Sequence, residues 1–457
     1  MIAKGRGMFT RFVPQGAVLL AVLTFASYFA GLLRDRIFAR TYGAGPELDA
    51  YNAAFVLPEL FLDVLVASGL TAPFVPVFTS LVRGSDPDAS SRFAQTVLTL
   101  AIAVMAVISL VMLAIAPATI QIVAPGFDAE NQARYLDLFR LMLLTPIIFA
   151  ASITLGEVLV AERHFVFYAL APILYNVGIV VGTLLFHARL GIEAAAVGAI
   201  IGAFLHLGIR VIGMFRTTVK LRFRLDLRMP ALHEFGKLMV PKMISHPIEP
   251  LTFLFFTSVA STLVAGSVSA VSFARNFQSV PVALIGVAIS VAAFPTLSNA
   301  WAAGDRAGFS RLVRSSATTI VVVSVIAAIG LAIVGPLAID VLLGGGAFDA
   351  DDVRLTATVL AAFAISVPFD SIGHLLARGL YATHNTLLPL GAAVAGFAVT
   401  IVTTLALVDR VGIVAIPLGF AAGLAVRTVL QALALGYRMR TTRPAAPPDI
   451  SAEPAAA

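Results

Sequence analysis

GIEAAAVGAIIG, residues 191–202, returns 221 residues later as GIVAIPLGFAAG, residues 412–423. Both copies read G-I-x-A-x-x-x-G-x-x-x-G. Small residues four apart are a general device for packing membrane helices, so the glycines alone do not establish a duplication. Prolines decide the matter: near the same offset Pro58 answers to Pro281, Pro73 to Pro295 and Pro146 to Pro368. Six apolar spans separate the copies, an even number, so both cross a bilayer in the same direction. That describes a parallel repeat about an axis along the membrane normal, with a substrate cavity expected between the halves.

The rest of the composition agrees with a chain that lives in lipid. It is 59% hydrophobic and 12% charged, with a mean hydropathy of +0.96, where a soluble domain carries about 25% charged residues. Runs of about 20 apolar residues, each long enough to cross the hydrocarbon core as a helix, recur from end to end. Twelve spans are expected, at 13–33, 50–80, 93–116, 136–156, 166–186, 192–214, 236–257, 266–297, 315–335, 354–380, 387–408 and 412–436. The first is too long for the apolar core of a signal peptide and ends in arginines rather than a cleavage site. Prolines within the longer spans predict bent or tilted helices.

With the N-terminus inside, nineteen Lys and Arg residues fall in inside segments and seven in outside ones. The positive-inside rule then places both termini in the cytoplasm. Residues 1–214 and 236–440 read as two six-helix lobes joined by a basic linker, 215–235, and followed by a Pro/Ala-rich, disordered tail at 441–457. The net charge of +6 reports orientation, not nucleic-acid binding. No cysteine is present, so thiolate chemistry and Cys metal sites are excluded.

Ionisable side chains inside apolar spans cost at least ~2.5 kcal/mol each, which makes them functional candidates by default. They are Glu59, Asp63, Asp137, Arg140, Lys242, His246, Glu249, Arg275, Asp370, His374, Arg378 and Arg427. Asp137, Arg140 and Arg427 lie near span ends and read as snorkelling side chains. Asp63, Glu249 and Arg275 lie deeper and read as cavity residues. Glu249 and Asp370 form the candidate site for a coupling Na⁺ or proton. The scattered histidines match no metalloprotease, nucleophile-elbow or phosphate-loop pattern, so the chain reads as a transporter, with no metal or cofactor and no enzymatic role.

One stretch goes against the charge rule. GLLRDRIFARTYGAGPELDA, residues 31–50, puts Arg34, Arg36 and Arg40 on the outside. Its pattern G-x-x-R-D-x-x-x-A-R-x-x-G-A-G-x-x-x-D-A continues into A-A-F-x-x-P and later F-V-P-V-F. With A-P-G-F at 124–127, A-P-x-L-x-N at 171–176 and G-S-V-S…F-A-R from 266, it resembles the MurJ/MviN lipid II flippases of the MOP exporter superfamily.

That resemblance implies an all-α fold of two six-helix lobes, V-shaped around a central cavity. It also implies outward movement of a polyprenyl-pyrophosphate-linked peptidoglycan precursor across the bacterial inner membrane by alternating access. Its partners would be that anionic lipid, membrane lipids and cell-wall synthesis proteins, with coupling to a Na⁺ or H⁺ gradient or to membrane potential.

Residue by residue, Arg34 and Asp49 fall on the family's cavity arginine and aspartate, and Asn176 on its span-five asparagine. Asp35 or Asp49 would hold Arg34 while the site is empty. Where the family has an arginine pair and a glutamate in span two, this chain has Leu62, Asp63 and Ala67. The span-eight arginine falls on Asn276, with Arg275 one position early. The expected substrate residues are therefore Arg34, Asp35, Asp49, Asp63, Asn176 and Arg275. A guanidinium suits this task because its planar donor fork matches a phosphate oxyanion. Two other readings fit the residues: another MOP transporter, for a polysaccharide precursor or a cationic drug, and a non-transporting scaffold for cell-wall synthesis.

Overall fold

The structure is a computed structural model, described for residues 15–86 and 88–441. Lys4, Arg6 and Arg11, and the expected disordered tail beyond Thr441, lie outside the described residues. Among those described, the fold is helical, with no strand and an isolated bridge between Gly345 and Phe348. The helices are α1 (Gln15–Tyr42), α2 (Pro46–Val82), α3 (Ala89–Ala114), α4 (Ala116–Val123), α5 (Ala129–Ala161), α6 (Phe165–Leu190), α7 (Glu193–Met214) and α8 (Pro230–Ser245). They continue as α9 (Ile248–Ser261), α10 (Ser267–Ala302), α11 (Arg306–Leu342), α12 (Ala350–Ala364), α13 (Val367–Ala382), α14 (Leu387–Val411) and α15 (Ala415–Thr441).

The duplication seen in twelve residues runs through helix boundaries and breaks. Both α2 and α10 are long proline-bearing helices with a π turn inside them, Asp63–Ala67 in one and Val282–Val287 in the other. Proline removes a backbone donor and crowds the preceding turn, and an extra residue in the turn is a common way to absorb that. The first α5 segment ends at Met142 and the second begins at Leu144; α12 and α13 break at the corresponding place and meet at 44°. Gly191 ends α6 at φ 57°, ψ −131°, and Gly412 ends α14 at φ 58°, ψ −135°. Left-handed backbone of this kind favours glycine, which explains why both copies open on it.

Eight helical stretches among the described residues are long and apolar enough to cross a membrane, nine if α12 and α13 count as one bent span. The expected eleventh and twelfth spans share one of these, Leu387–Thr441. The expected first and seventh are not among them. The first begins at residues outside those described, and the seventh is broken into α8 and α9 beside Pro247. The number twelve therefore rests on the sequence.

The chain packs as two compact units. The first comprises residues 1–269 with 342–349, and the second 270–341 with 350–457. The division does not fall at the 215–235 linker. The reason is local packing: α8 lies against the second half of α2, where Gly69 leaves room for Met239 and Met243. α9 likewise packs on α2 and α4.

The first unit's core holds a run of rings, with Phe74 in contact with Phe78, Phe93 and Phe235, and Phe93 with Phe235. The second unit buries Leu297, Trp301, Phe309, Leu375 and Leu380. In each unit one helix pair is drawn close by glycine. α6 meets α7 with Gly182 against Gly198 and Gly178 against Gly202, and α14 meets α15 with Gly396 against Gly423.

Candidate functional site

The three opening arginines have three different partners. Arg34 closes a fork onto its neighbour: Nε and Nη2 donate to Asp35 Oδ1 at 3.0 and 2.8 Å. Asp35 is buried and Arg34 half-buried. Arg36 donates from Nη1 to Leu342 O at 2.7 Å, and Arg40 from Nε to Gly344 O at 3.0 Å. The Arg40 carbonyl in turn accepts from the Ala347 N–H at 2.9 Å. Gly346, at φ +64°, lies so close to that carbonyl that a side chain would not fit. Arg36 and Arg40 are thus committed to holding the 342–349 turn on α1, and Arg34 stands apart with its fork closed on an acid.

Beside Arg34 the first unit contains a cavity of about 280 Å³. Its wall takes Phe55, Pro58, Glu59 and Leu62 from α2, Thr145, Pro146, Phe149 and Ile153 from α5, Pro172 and Tyr175 from α6, and His206 and Arg210 from α7. Three contributing helices place a proline in the wall, where distorted backbone opens space between helices. Arg34 is within electrostatic reach of Tyr175 and Glu59 in this wall, and of Tyr51 behind it. The Arg210 guanidinium donates to Ser152 O at 2.6 Å and lies over the Tyr168 ring at 5.0 Å. His206 Nδ1 and Ser152 Oγ are 2.7 Å apart. The cavity thus combines an aromatic wall, one cationic donor, Arg210, and one carboxylate, Glu59, which suits a ligand carrying both polar and apolar parts.

Several expected site residues are elsewhere. Asp49, expected to meet substrate, is 3% exposed and serves as a cap. Its carboxylate accepts from the N–H groups of Gly266 and Ser269, both at 2.7 Å, and from Ser269 Oγ at 2.6 Å. These are the free donors at the start of α10, where a carboxylate is favoured by hydrogen bonding and by the helix dipole. Asp63 opens the π turn of α2 and pairs with His246 Nε2 at 3.3 Å, outside the cavity wall. Asn176 donates to Pro172 O at 3.0 Å, one residue from cavity-lining Tyr175. Its Oδ1 is buried without an acceptor role.

Arg275 belongs to the second unit. Buried there, it bonds Gln278 and lies 5.3 Å from the centroid of the Phe420 ring. The expected ion site does not assemble within one unit, because Glu249 falls in the first and Asp370 in the second. Asp370 is already compensated, by Arg427 at 3.0 Å and His374 at 3.9 Å. Arg427, read from sequence as a snorkelling residue, is therefore half of an ion pair. A carboxylate neutralised by its own arginine gives a cation little reason to bind.

Sequence reading passed over His206, Arg210 and Glu157. His206 and Arg210 are four apart in an apolar helix and share a face, the same signal that singled out Glu59 and Asp63. Glu157 is 3% exposed and accepts from Thr71 at 3.1 Å. A span boundary drawn at residue 156 had put it outside the membrane.

The family model described as lipid II flippase MurJ matches residues 38–446, beginning just after Arg34 and Asp35. A relative named "Lipid II flippase MurJ" from Burkholderia cenocepacia is 27% identical over 425 residues, covering 91% of this chain and 82% of its own length. One from Rickettsia prowazekii, "Probable lipid II flippase MurJ", is 26% identical over 416 residues, covering 89% and 80%. Among solved structures, a lipid II flippase MurJ in an inward closed conformation has a TM-score of 0.80 at 21% identity, covering 92% of this chain and 87% of that one. An inward-facing MATE multidrug transporter of the MOP superfamily has 0.77 at 14%, covering 92% and 98%. The two structural likenesses show the fold. The sequence match, extending over nearly the whole chain, shows the family, and the chain belongs to the lipid II flippases of MurJ type.

Proposed function

We propose that this chain carries lipid II from the inner to the outer leaflet of the bacterial cytoplasmic membrane by alternating access. Arg34 would receive the pyrophosphate, and the termini would lie in the cytoplasm. The observation that carries the reading is the family match over residues 38–446, seen with the one opening arginine not committed to the backbone. Asp35 holds the Arg34 fork in place when no substrate is bound. An arriving pyrophosphate, with more charge and more acceptors, competes for the same donors. The cationic-drug alternative rests on the missing span-two arginines and on the carboxylates Asp63, Glu249 and Asp370, whereas lipid II has the family behind it.

The test uses proteoliposomes loaded with labelled lipid II in one leaflet, scored by a reagent that cannot cross the bilayer. Wild type should expose the label in the opposite leaflet. Arg34→Lys should insert normally yet lose about tenfold or more of the rate, because an ammonium cannot reproduce the two-donor fork. If Arg34→Lys transports at the wild-type rate, Arg34 does not read the headgroup.

A further inference from the structure

Arg210 is 4% exposed on α7, a helix apolar and long enough to cross a membrane. A guanidinium in that setting calls for an anionic partner. Among the described residues, no carboxylate lies within ion-pair distance of it. Glu157 lies within electrostatic reach but accepts its hydrogen bond from Thr71 rather than from Arg210, and Glu59 lines the same cavity from α2 without reaching the guanidinium.

The second unit supplies an internal comparison. At the repeat offset of 221 Arg427 answers to His206, and at the offset of 222 that Pro146 and Pro368 set for α5 and α13 Asp370 answers to Ile148. The Arg427–Asp370 pair, 3.0 Å apart, has no ionic counterpart at those positions, where His206 instead meets Phe149 with ring centroids 4.9 Å apart. The buried arginine of the first unit sits one helical turn further on. Arg210 lies over Gly156 as Arg427 lies over Gly373, and both members of that match share one offset, 217. In this shifted register the place of Asp370 falls on Ile153, and Ile153 is part of the cavity wall. The first unit thus has an arginine over a glycine with Ile153 in place of the carboxylate, beside a cavity of about 280 Å³.

We infer that the first unit's cavity binds an oxyanion, a carboxylate or phosphate, at Arg210, doing for that arginine what Asp370 does for Arg427 in the second unit. The guanidinium is already oriented by Ser152 O and the Tyr168 ring, so binding needs little reorganisation. The oxyanion is either an acid group of the transported lipid or a free ion. In the first case the inference rests on the lipid II reading; in the second it stands without it.

The experiment uses the full chain in phosphatidylcholine nanodiscs, with thermal unfolding as readout. Potassium acetate and inorganic phosphate are compared with acetamide and potassium chloride at matched ionic strength. Acetate or phosphate should raise the Tm of the wild type, and acetamide and chloride should not. Arg210→Lys should weaken the apparent affinity about tenfold or more, the value of a charge-assisted hydrogen bond. Ile153→Asp supplies the carboxylate from within. It should remain folded, with a ligand-free Tm at or above that of wild type, and no longer respond.

A second arm titrates lipid II against an analogue whose peptide carboxylates are amides. Wild-type preference for the carboxylate form, lost in Ile153→Asp, supports the inference with the substrate as source. Equal binding of both forms with an intact acetate or phosphate response supports it with a free ion as source. If lipid II does not bind the wild type while that response stands, the substrate reading falls and the oxyanion site remains. The inference is overturned if folded wild type shows neither an anion response nor a carboxylate preference, or if either persists unchanged in Ile153→Asp.

Discussion

Arg34 and Asp49 sit fifteen residues apart in a motif read as one substrate site, and the structure gives them different duties. Arg34 is held by its neighbour Asp35, a relation any reader of the sequence can see. Asp49 binds groups 217 and 220 positions away, which no local pattern discloses. Asp49→Ala should therefore lower stability by about 1–2 kcal/mol, the value of a good helix cap. Denaturant unfolding of the inserted protein measures this, with Asp49→Asn falling between Ala and wild type.

Asp370 belongs to the same class of residue. Asp370→Asn leaves Arg427 uncompensated and should cost about 3 kcal/mol. Arg427→Leu in the same chain should recover most of that loss, and neither effect should depend on Na⁺. Recovery of nothing in the double variant would return Asp370 to the list of ion-site candidates. Legibility at this scale followed sequence distance: Arg34 with Asp35 was visible, and Asp49 with α10 or Asp370 with Arg427 was not.

At the scale of helices, glycine and proline carried most of the readable information. Gly191 and Gly412 end α6 and α14 at nearly identical dihedrals, and Pro46 opens α2 at its first turn. Helix ends were harder to read, because hydropathy marks where a helix leaves lipid and not where its hydrogen bonds stop. α11 was expected at 315–335 and runs Arg306–Leu342. The seventh span looked continuous by composition and is broken beside Pro247.

The close approach of α6 and α7 depends on Gly182 having no side chain, since a Cβ there would overlap Gly198. Gly182→Ala should therefore destabilise by about 1–3 kcal/mol through overpacking. Gly31→Ala, with open space around it, should be nearly silent in the same unfolding assay. Equal effects at the two positions would mean that the glycine contact does not hold the pair together.

At the scale of the whole molecule, the duplication was legible because both copies kept their prolines and glycines at one offset. The compact units were not legible, because the packing of α8 and α9 on α2 depends on side chains such as Met239 and Met243 meeting Gly69. Topology remains a prediction of charge counting. Reporters inserted after Arg228 and after Asp352 should report cytoplasm and exterior respectively, and the same side for both would refute the expected crossing pattern. The central claim, that this chain delivers lipid II outward, is tested most directly in cells depleted of their own lipid II flippase. Outer-leaflet lipid II is measured per molecule of inserted protein. The account predicts that the wild-type chain restores it together with growth, and that Arg34→Ala at equal abundance does not. Wild-type protein present in the membrane at that abundance, with no lipid II reaching the outer leaflet, would contradict it.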